Sequence, residues 1–170
     1  MSKISSFILA TTLIMIALPF SANAETQQYY PVYRLYNTET HDHLYTASPE
    51  EAASVANLGY VSEGTLGNVS TRVLSVSQTA FYRLYNKITG RHFYTDSNDE
   101  LAVLVAGGDY ILEGTLGYLS DPSYPTYEGA IFRLYNPSTG DHLYTSSWVE
   151  WGMLQLSGWG SEDMLRGKLY

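Results

Sequence analysis

The chain has 170 residues, no cysteine, and 17 acidic against nine basic residues, for a formal net charge of −8. No disulfide can staple it, and so acidic a surface repels nucleic-acid phosphates and anionic lipid heads, which speaks against nucleic acid as a partner. Sixteen tyrosines beside only five phenylalanines favour surfaces that are dry on one side and wet on the other.

The first 24 residues read as a secretory signal peptide. Lys3 supplies the positive start, Phe7 to Phe20 is an apolar run interrupted only by Thr11, Thr12 and Pro19, and Ala22-Asn23-Ala24 is a small-x-small cleavage site before Glu25. The run falls short of the roughly 20 residues of a spanning helix and no positive stop-transfer cluster follows, so no membrane span is expected. The expected product is secreted, periplasmic or extracellular, after cleavage near Ala24. Residues 25–170 then have the size of one ordinary domain, and all the acidic residues lie in them.

Three copies of one pattern follow. Tyr33-Arg34-Leu35-Tyr36-Asn37 is followed by His43-Leu44-Tyr45-Thr46, Tyr82 to Asn86 by His92 to Thr95, and Phe132 to Asn136 by His142 to Thr145. The arginines at 34, 83 and 133 set a period of 49 and then 50 residues. Each copy predicts a hairpin: an alternating strand, a turn rich in Asn, Thr and Gly, and a second alternating strand. Asn136-Pro137-Ser138-Thr139-Gly140 states the turn most clearly, whereas His41 holds the glycine position in the first copy, where a strained or differently shaped turn is expected.

A Ser-x-x-Glu capping box comes next in every copy, as Ser48 with Glu51, Ser97 with Glu100, and Ser147 with Glu150, and predicts a short helix that stops at Gly59, Gly108 or Gly158. A closing strand is expected over Tyr60 to Gly67 and Tyr110 to Gly117, both containing Glu-Gly-Thr-Leu-Gly. The third copy departs, with Glu162-Asp163-Met164-Leu165-Arg166-Gly167 in that place. The expected fold is α+β and strand-rich: three ββαβ-type repeats (about 32–69, 81–119 and 131–170) in a closed pseudo-three-fold single domain over 25–170. In it, the stretch before the first copy supplies what the last copy lacks and no edge is left open. A β-trefoil-like barrel is the alternative, weakened by the repeated helix signal.

Arg-Leu-Tyr-Asn, a turn, His-aromatic-Tyr-Thr and a later Glu-Gly, present three times, resemble the bacterial secreted repeat family known as a domain of unknown function, DUF5648. The likeness spans nearly the whole chain after residue 24. It implies a likeness to extracellular modules often attached to cell-wall or polysaccharide-degrading enzymes, and hence a binding role.

The hairpin register sorts the candidate residues. A loop over Pro137 to Gly140 sets Tyr135 opposite His142, Leu134 opposite Leu143 and Arg133 opposite Tyr144. One face is then leucine and core. The other presents Arg133, Tyr135, His142 and Tyr144, and in the other copies Arg34, Tyr36, His43, Tyr45 and Arg83, Tyr85, His92, Tyr94. These residues form either a platform for sugar rings, with Arg and His donating to hydroxyls, or a buried polar network that locks each unit to its neighbour. Recurrence favours the network, because a unit's own architecture is what must recur. Ligand contacts are then expected where the copies differ: Trp148, Trp151 and Trp159 all sit in the third copy, with Trp148 the stacking candidate and Trp159 a core filler.

No catalytic residue, cofactor or metal is expected. His41-Asp42-His43 could begin a metal site, but four histidines and no cysteine leave too few partners. No nucleophile elbow, phosphate-cradling loop or His-Glu-x-x-His pair occurs, and Glu63, Glu113 and Glu162 recur with the pattern as structural parts would. The expected function is a secreted, non-enzymatic binding module for carbohydrate or a cell-envelope polymer. The alternatives are a small hydrolase with its site in one divergent copy and a protein-binding or inhibitor module.

Overall fold

The computed structural model describes residues 29–120 and 128–170; the expected leader over 1–24 lies outside the described residues. In chain order the first copy forms β1 (Tyr29–Asn37), β2 (Asp42–Thr46), α1 (Pro49–Ser54) continued by a 3₁₀ turn (Val55–Leu58), and β3 (Tyr60–Ser70). The second forms β4 (Thr79–Asn86), β5 (Arg91–Thr95), α2 (Asn98–Ala106) and β6 (Tyr110–Leu119). The third forms β7 (Phe132–Asn136), β8 (Asp141–Thr145), α3 (Trp148–Leu156) and β9 (Gly160–Ser161).

Local chemistry fixes these elements. In the hairpins Arg34 pairs with Tyr45, Arg83 with Tyr94 and Arg133 with Tyr144, each two positions from a Tyr–His pair. Gly90 and Gly140 take the left-handed conformation that closes the loop, and their N–H groups return to the Asn86 and Asn136 carbonyls. His41 adopts the same conformation at φ 53°, where its ring nitrogen meets the Tyr36 hydroxyl at 3.0 Å.

At each helix start the serine oxygen accepts from the glutamate N–H, at 3.1 Å for Ser48, 3.3 Å for Ser97 and 3.2 Å for Ser147. The return half of the capping box is absent. The serine N–H donates instead to Thr46, Thr95 or Thr145, each at 3.0 Å, which frees the glutamate side chain to reach elsewhere.

The expected closed, pseudo-three-fold ring of ββαβ repeats is not what these elements build, and neither is a barrel. They form two open antiparallel sheets, one of six strands in the order β2-β1-β3-β6-β4-β5 and one of three in the order β8-β7-β9. The first two copies share the larger sheet through the β3–β6 contact at Ser70 and Tyr118, while the third stands in its own. The closing strands explain the difference. β3 and β6 each carry two bulges, and beside one of the two Gly64 and Gly114 pair with Arg34 and Arg83 at positive φ, so β3 runs for 11 residues and β6 for 10. Asp163 follows Glu162 where the other copies have glycine, and β9 ends after 2 residues.

The described part of the amino-terminal stretch, from Tyr29 on, does not add a strand to the last copy either. Tyr29 to Val32 pair with the first copy's own β3, from Ser70 to Gly67. The carboxyl end is held by other contacts, among them Leu165 N–H to the Ile131 carbonyl at 3.1 Å and Leu169 N–H to the Gly129 carbonyl at 2.8 Å.

One apolar cluster draws on all three copies: Val32, Leu66 and Val69, then Phe81 and Leu119, then Ile131, Leu165 and Leu169, around Tyr45, Tyr94 and Tyr144. Burying each aliphatic or aromatic side chain contributes roughly 1.5–3 kcal/mol. The backbone at Gly117 runs so close to β3 that a Cβ there would lie 2.6 Å from Val69 Cγ2 and 2.7 Å from the Ser70 carbonyl oxygen. The helices lie outside this core and bury no residue of their own.

Candidate functional site

β2, β5 and β8 bring Tyr45, Tyr94 and Tyr144 together, all fully buried, with ring centroids 5.1–5.5 Å apart and edges against faces. Their hydrogen bonds run in a cycle. The Tyr45 hydroxyl donates to the Tyr144 carbonyl at 2.7 Å and accepts the Tyr144 N–H at 2.8 Å. Tyr94 does the same to Tyr45, at 3.1 and 2.7 Å, and Tyr144 to Tyr94, at 2.7 and 2.9 Å. Every hydroxyl is satisfied twice, and burial raises all three phenol pKa values. These tyrosines are inaccessible to a ligand.

Outside the triad each arginine joins two glutamates. Arg34 reaches Glu63 of its own copy at 3.0 Å and, with both terminal nitrogens, Glu150 of the third copy. Arg83 reaches Glu113 and, in the first copy, Glu51, both at 2.8 Å. Arg133 reaches Glu162 and, in the second copy, Glu100 at 2.9 Å; its Nε and Glu162 Oε2 are 2.7 Å apart but off the hydrogen-bond line, so that contact is an ion pair. The glutamate freed from each capping box therefore crosses to the next copy's arginine. Burial disfavours charge on Glu51 and Glu150, but the guanidinium bonds outweigh it and hold both carboxyls below the usual range.

The histidines extend the network. His43 Nδ1 meets Asp141 Oδ2 and His92 Nδ1 meets Asp42 Oδ2, each at 2.6 Å, and both aspartates are buried. Burial pushes the His43 pKa down, yet hydrogen bonds to Asp141 and Glu63 dominate and hold it above its ordinary value. Asp42, opposed by burial, is held low by His92 and the Tyr60 hydroxyl. His142 has no such aspartate, because Arg91 stands where the other copies have Asp42 and Asp141; its ring packs edge-on to Phe93 at 4.9 Å.

Two clefts open beside these ion pairs. The one at Arg83 measures about 220 Å³ and is walled by Ala47, Glu51 and Gly114 to Leu116. The one at Arg133 measures about 490 Å³ and is walled by Asp96, Glu100 and Asp163 to Arg166. Elsewhere on the third copy, Trp148 is 57 % exposed, 4.5 Å from Trp151 and 5.4 Å from the buried Phe132 between ring centroids. Trp151 Nε1 donates to Ser161 Oγ at 3.1 Å, which fixes that ring under its neighbour.

Of the candidates read from the sequence, Tyr144 is buried in the triad and Arg133 is engaged at a cleft wall. Tyr135 and His142 are half-buried against each other at 5.0 Å, and Trp148 alone is openly exposed. Tyr36 and Tyr85 likewise lean on His43 and His92 at 4.5 and 5.4 Å. Trp159 is half-buried and edge-on to His43. No group of His, Asp and Glu among the described residues could hold a metal ion, and no described helix is long and apolar enough to cross a membrane.

This arrangement belongs to the sequence pattern that a family model recognises over residues 31–166. The chain belongs to the DUF5648 family, described as a domain of unknown function. No curated protein and no solved structure matches it. Sequence reasoning missed the crossing glutamates of this DUF5648 chain, although one recurrent Glu per cap and one recurrent Arg per hairpin was the available signal. It also missed the larger cleft, whose signal was the coincidence of two irregularities, Asp96 and the 163–166 segment.

Proposed function

We propose that this DUF5648 chain is an exported, non-enzymatic binding module for carbohydrate or a cell-envelope polymer, with Trp148 as its stacking residue. The observation that carries the reading is the exposed Trp148 indole, backed by Trp151 and Phe132. A flat aromatic face held rigid from below offers the C–H side of a sugar ring a dry contact at little entropic cost. The recurrent arginines and their glutamates support the absence of chemistry, since their charges are spent on one another and none is poised as a free base or nucleophile. The signal-peptide pattern of residues 1–24 supports export.

A glycan array probed with the chain lacking residues 1–24 tests this. The reading predicts binding that Trp148→Ala weakens at least about tenfold with the melting temperature unchanged. If no glycan binds and a pull-down from the cell envelope recovers a single protein, the sugar reading is wrong; release of reducing sugar from a bound polymer would overturn the non-enzymatic assignment.

A further inference from the structure

Two departures from the repeated sequence meet in one place. The cleft at Arg133 is more than twice as large as the one at Arg83, although both are built around an Arg–Glu pair beside a helix start. Where Gly114, Thr115 and Leu116 wall the smaller cleft, Asp163, Met164, Leu165 and Arg166 wall the larger. Where the smaller has Ala47, the larger has Asp96, which is 7 % exposed and accepts the Gly167 N–H at 2.6 Å. The inserted segment is thus anchored through Gly167 to the residue that replaces alanine. Asp96 holds the wall in place.

Two charged side chains of the rim, Asp163 and Arg166, stand outside the ion pairs of the cleft. Arg133 and Glu100 neutralise each other at 2.9 Å. Asp163 and Arg166 are exposed, and their side chains form no ion pair among the described residues. Three residues along the chain separate their Cα atoms by at most about 10 Å. Setting aside the paired Arg133 and Glu100, the cleft keeps Asp163 and the guanidinium of Arg166 at its rim and, behind them, the buried Asp96 carboxyl, whose Oδ2 accepts the Gly167 N–H and whose pKa burial raises. With Asp96 ionised these three leave one formal negative charge in excess. Concave polar walls, an unpaired cation and a surplus of carboxylate complement a small ligand with one carboxylate and more than one ammonium group.

We propose that this cleft is a second binding site, distinct from the Trp148 platform, for a diamino acid, free or at the carboxyl end of a peptide. Arg166 takes the ligand's carboxylate, and Asp163, with Asp96 behind it, takes an ammonium group. The chemistry is the same for a free diamino acid and for the end of a peptide, and the length of the rim accommodates either.

Calorimetric titration of the full chain tests the proposal, with L-lysine, a lysine-terminated dipeptide, lysine amide and Nε-acetyl-lysine as probes. Lysine or the dipeptide binds, and the amide and the acetylated form each bind roughly tenfold more weakly, as loss of a charge-assisted contact requires. Preference for the dipeptide identifies a peptide end as the source, and equal binding a free amino acid. Arg166→Ala removes the discrimination between lysine and its amide, Asp163→Asn removes that between lysine and its acetylated form, and neither changes the melting temperature. Trp148→Ala leaves the titration unchanged, so failure of glycan binding and failure of this site are read separately. Absence of binding by both lysine and the dipeptide, or binding that both rim variants leave intact, overturns the proposal.

Discussion

The junction at Arg83 and the junction at Arg133 start from the same parts: an arginine on a hairpin, a glutamate freed from the neighbouring copy's helix cap, and a second glutamate from the closing segment. At Arg83 the closing segment stays in the six-stranded sheet and the cleft is narrow. At Arg133 it leaves its sheet after Ser161 and the cleft opens. The same ion pairs therefore tolerate two different rims. The recurrent arginines and cap glutamates join the copies to one another, while among the departures Trp148, Asp163 and Arg166 face solvent.

That division is broken most severely from the inside. Tyr94→Phe strands the Tyr45 N–H and carbonyl with no partner in a dry core, which costs about 2–5 kcal/mol in urea unfolding. Tyr82→Phe, which removes only the exposed bond to Asn98, costs about 0.5 kcal/mol or less. Equal effects of the two would mean that the triad is not the joint between copies.

Gly117→Ala, next in size, drives a methyl into Val69 and the Ser70 carbonyl and costs about 3 kcal/mol, whereas Gly114→Ala meets no atom within 4 Å and pays only for its backbone conformation. Arg83→Ala leaves Glu51 and Glu113 facing each other beside the triad and costs about 1–3 kcal/mol, discounted because both carboxylates are about one-third exposed. His43→Ala, which abandons buried Asp141, destabilises more than His142→Ala, which abandons no aspartate. A ranking by chemical denaturation checks all of these.

Acid and base sharpen the comparison from both sides. Asp42, Glu51, Glu63, Glu150 and Glu162 have depressed pKa values, so the stability they contribute is present above about pH 4 and is lost as pH falls through their folded values. His43 has a raised pKa, so its contribution is complete below about pH 6.5 and is lost as pH rises through its folded value. The urea midpoint is expected to be highest between about pH 4 and 6.5. A midpoint that keeps rising from pH 6.5 to 8 would remove His43–Asp141 from the account.

Much of the local structure was legible because it rests on neighbours in sequence: the hairpin register from alternation, the helix starts from serine oxygens, the stops from Gly59, Gly108 and Gly158, all at positive φ. The closed ring was misread because counting copies does not reveal whether each closing strand can pass a bulge, and Asp163 cannot do what Gly64 and Gly114 do. The capping box was half right because Thr46, Thr95 and Thr145 compete for the serine N–H, a contact that the Ser-x-x-Glu pattern does not contain. The larger cleft was hidden because its walls, Asp96 and residues 163–166, are far apart in sequence and meet through backbone hydrogen bonds to Asp96, that of Gly167 among them.

The most direct test pairs Arg83→Ala with Trp148→Ala, each measured for melting temperature and for binding to a glycan selected with the unaltered chain. The account predicts that Arg83→Ala lowers the melting temperature and keeps its affinity below that temperature, while Trp148→Ala melts normally and loses affinity. The opposite assignment, with the arginine needed for the ligand and the indole for the fold, would contradict it.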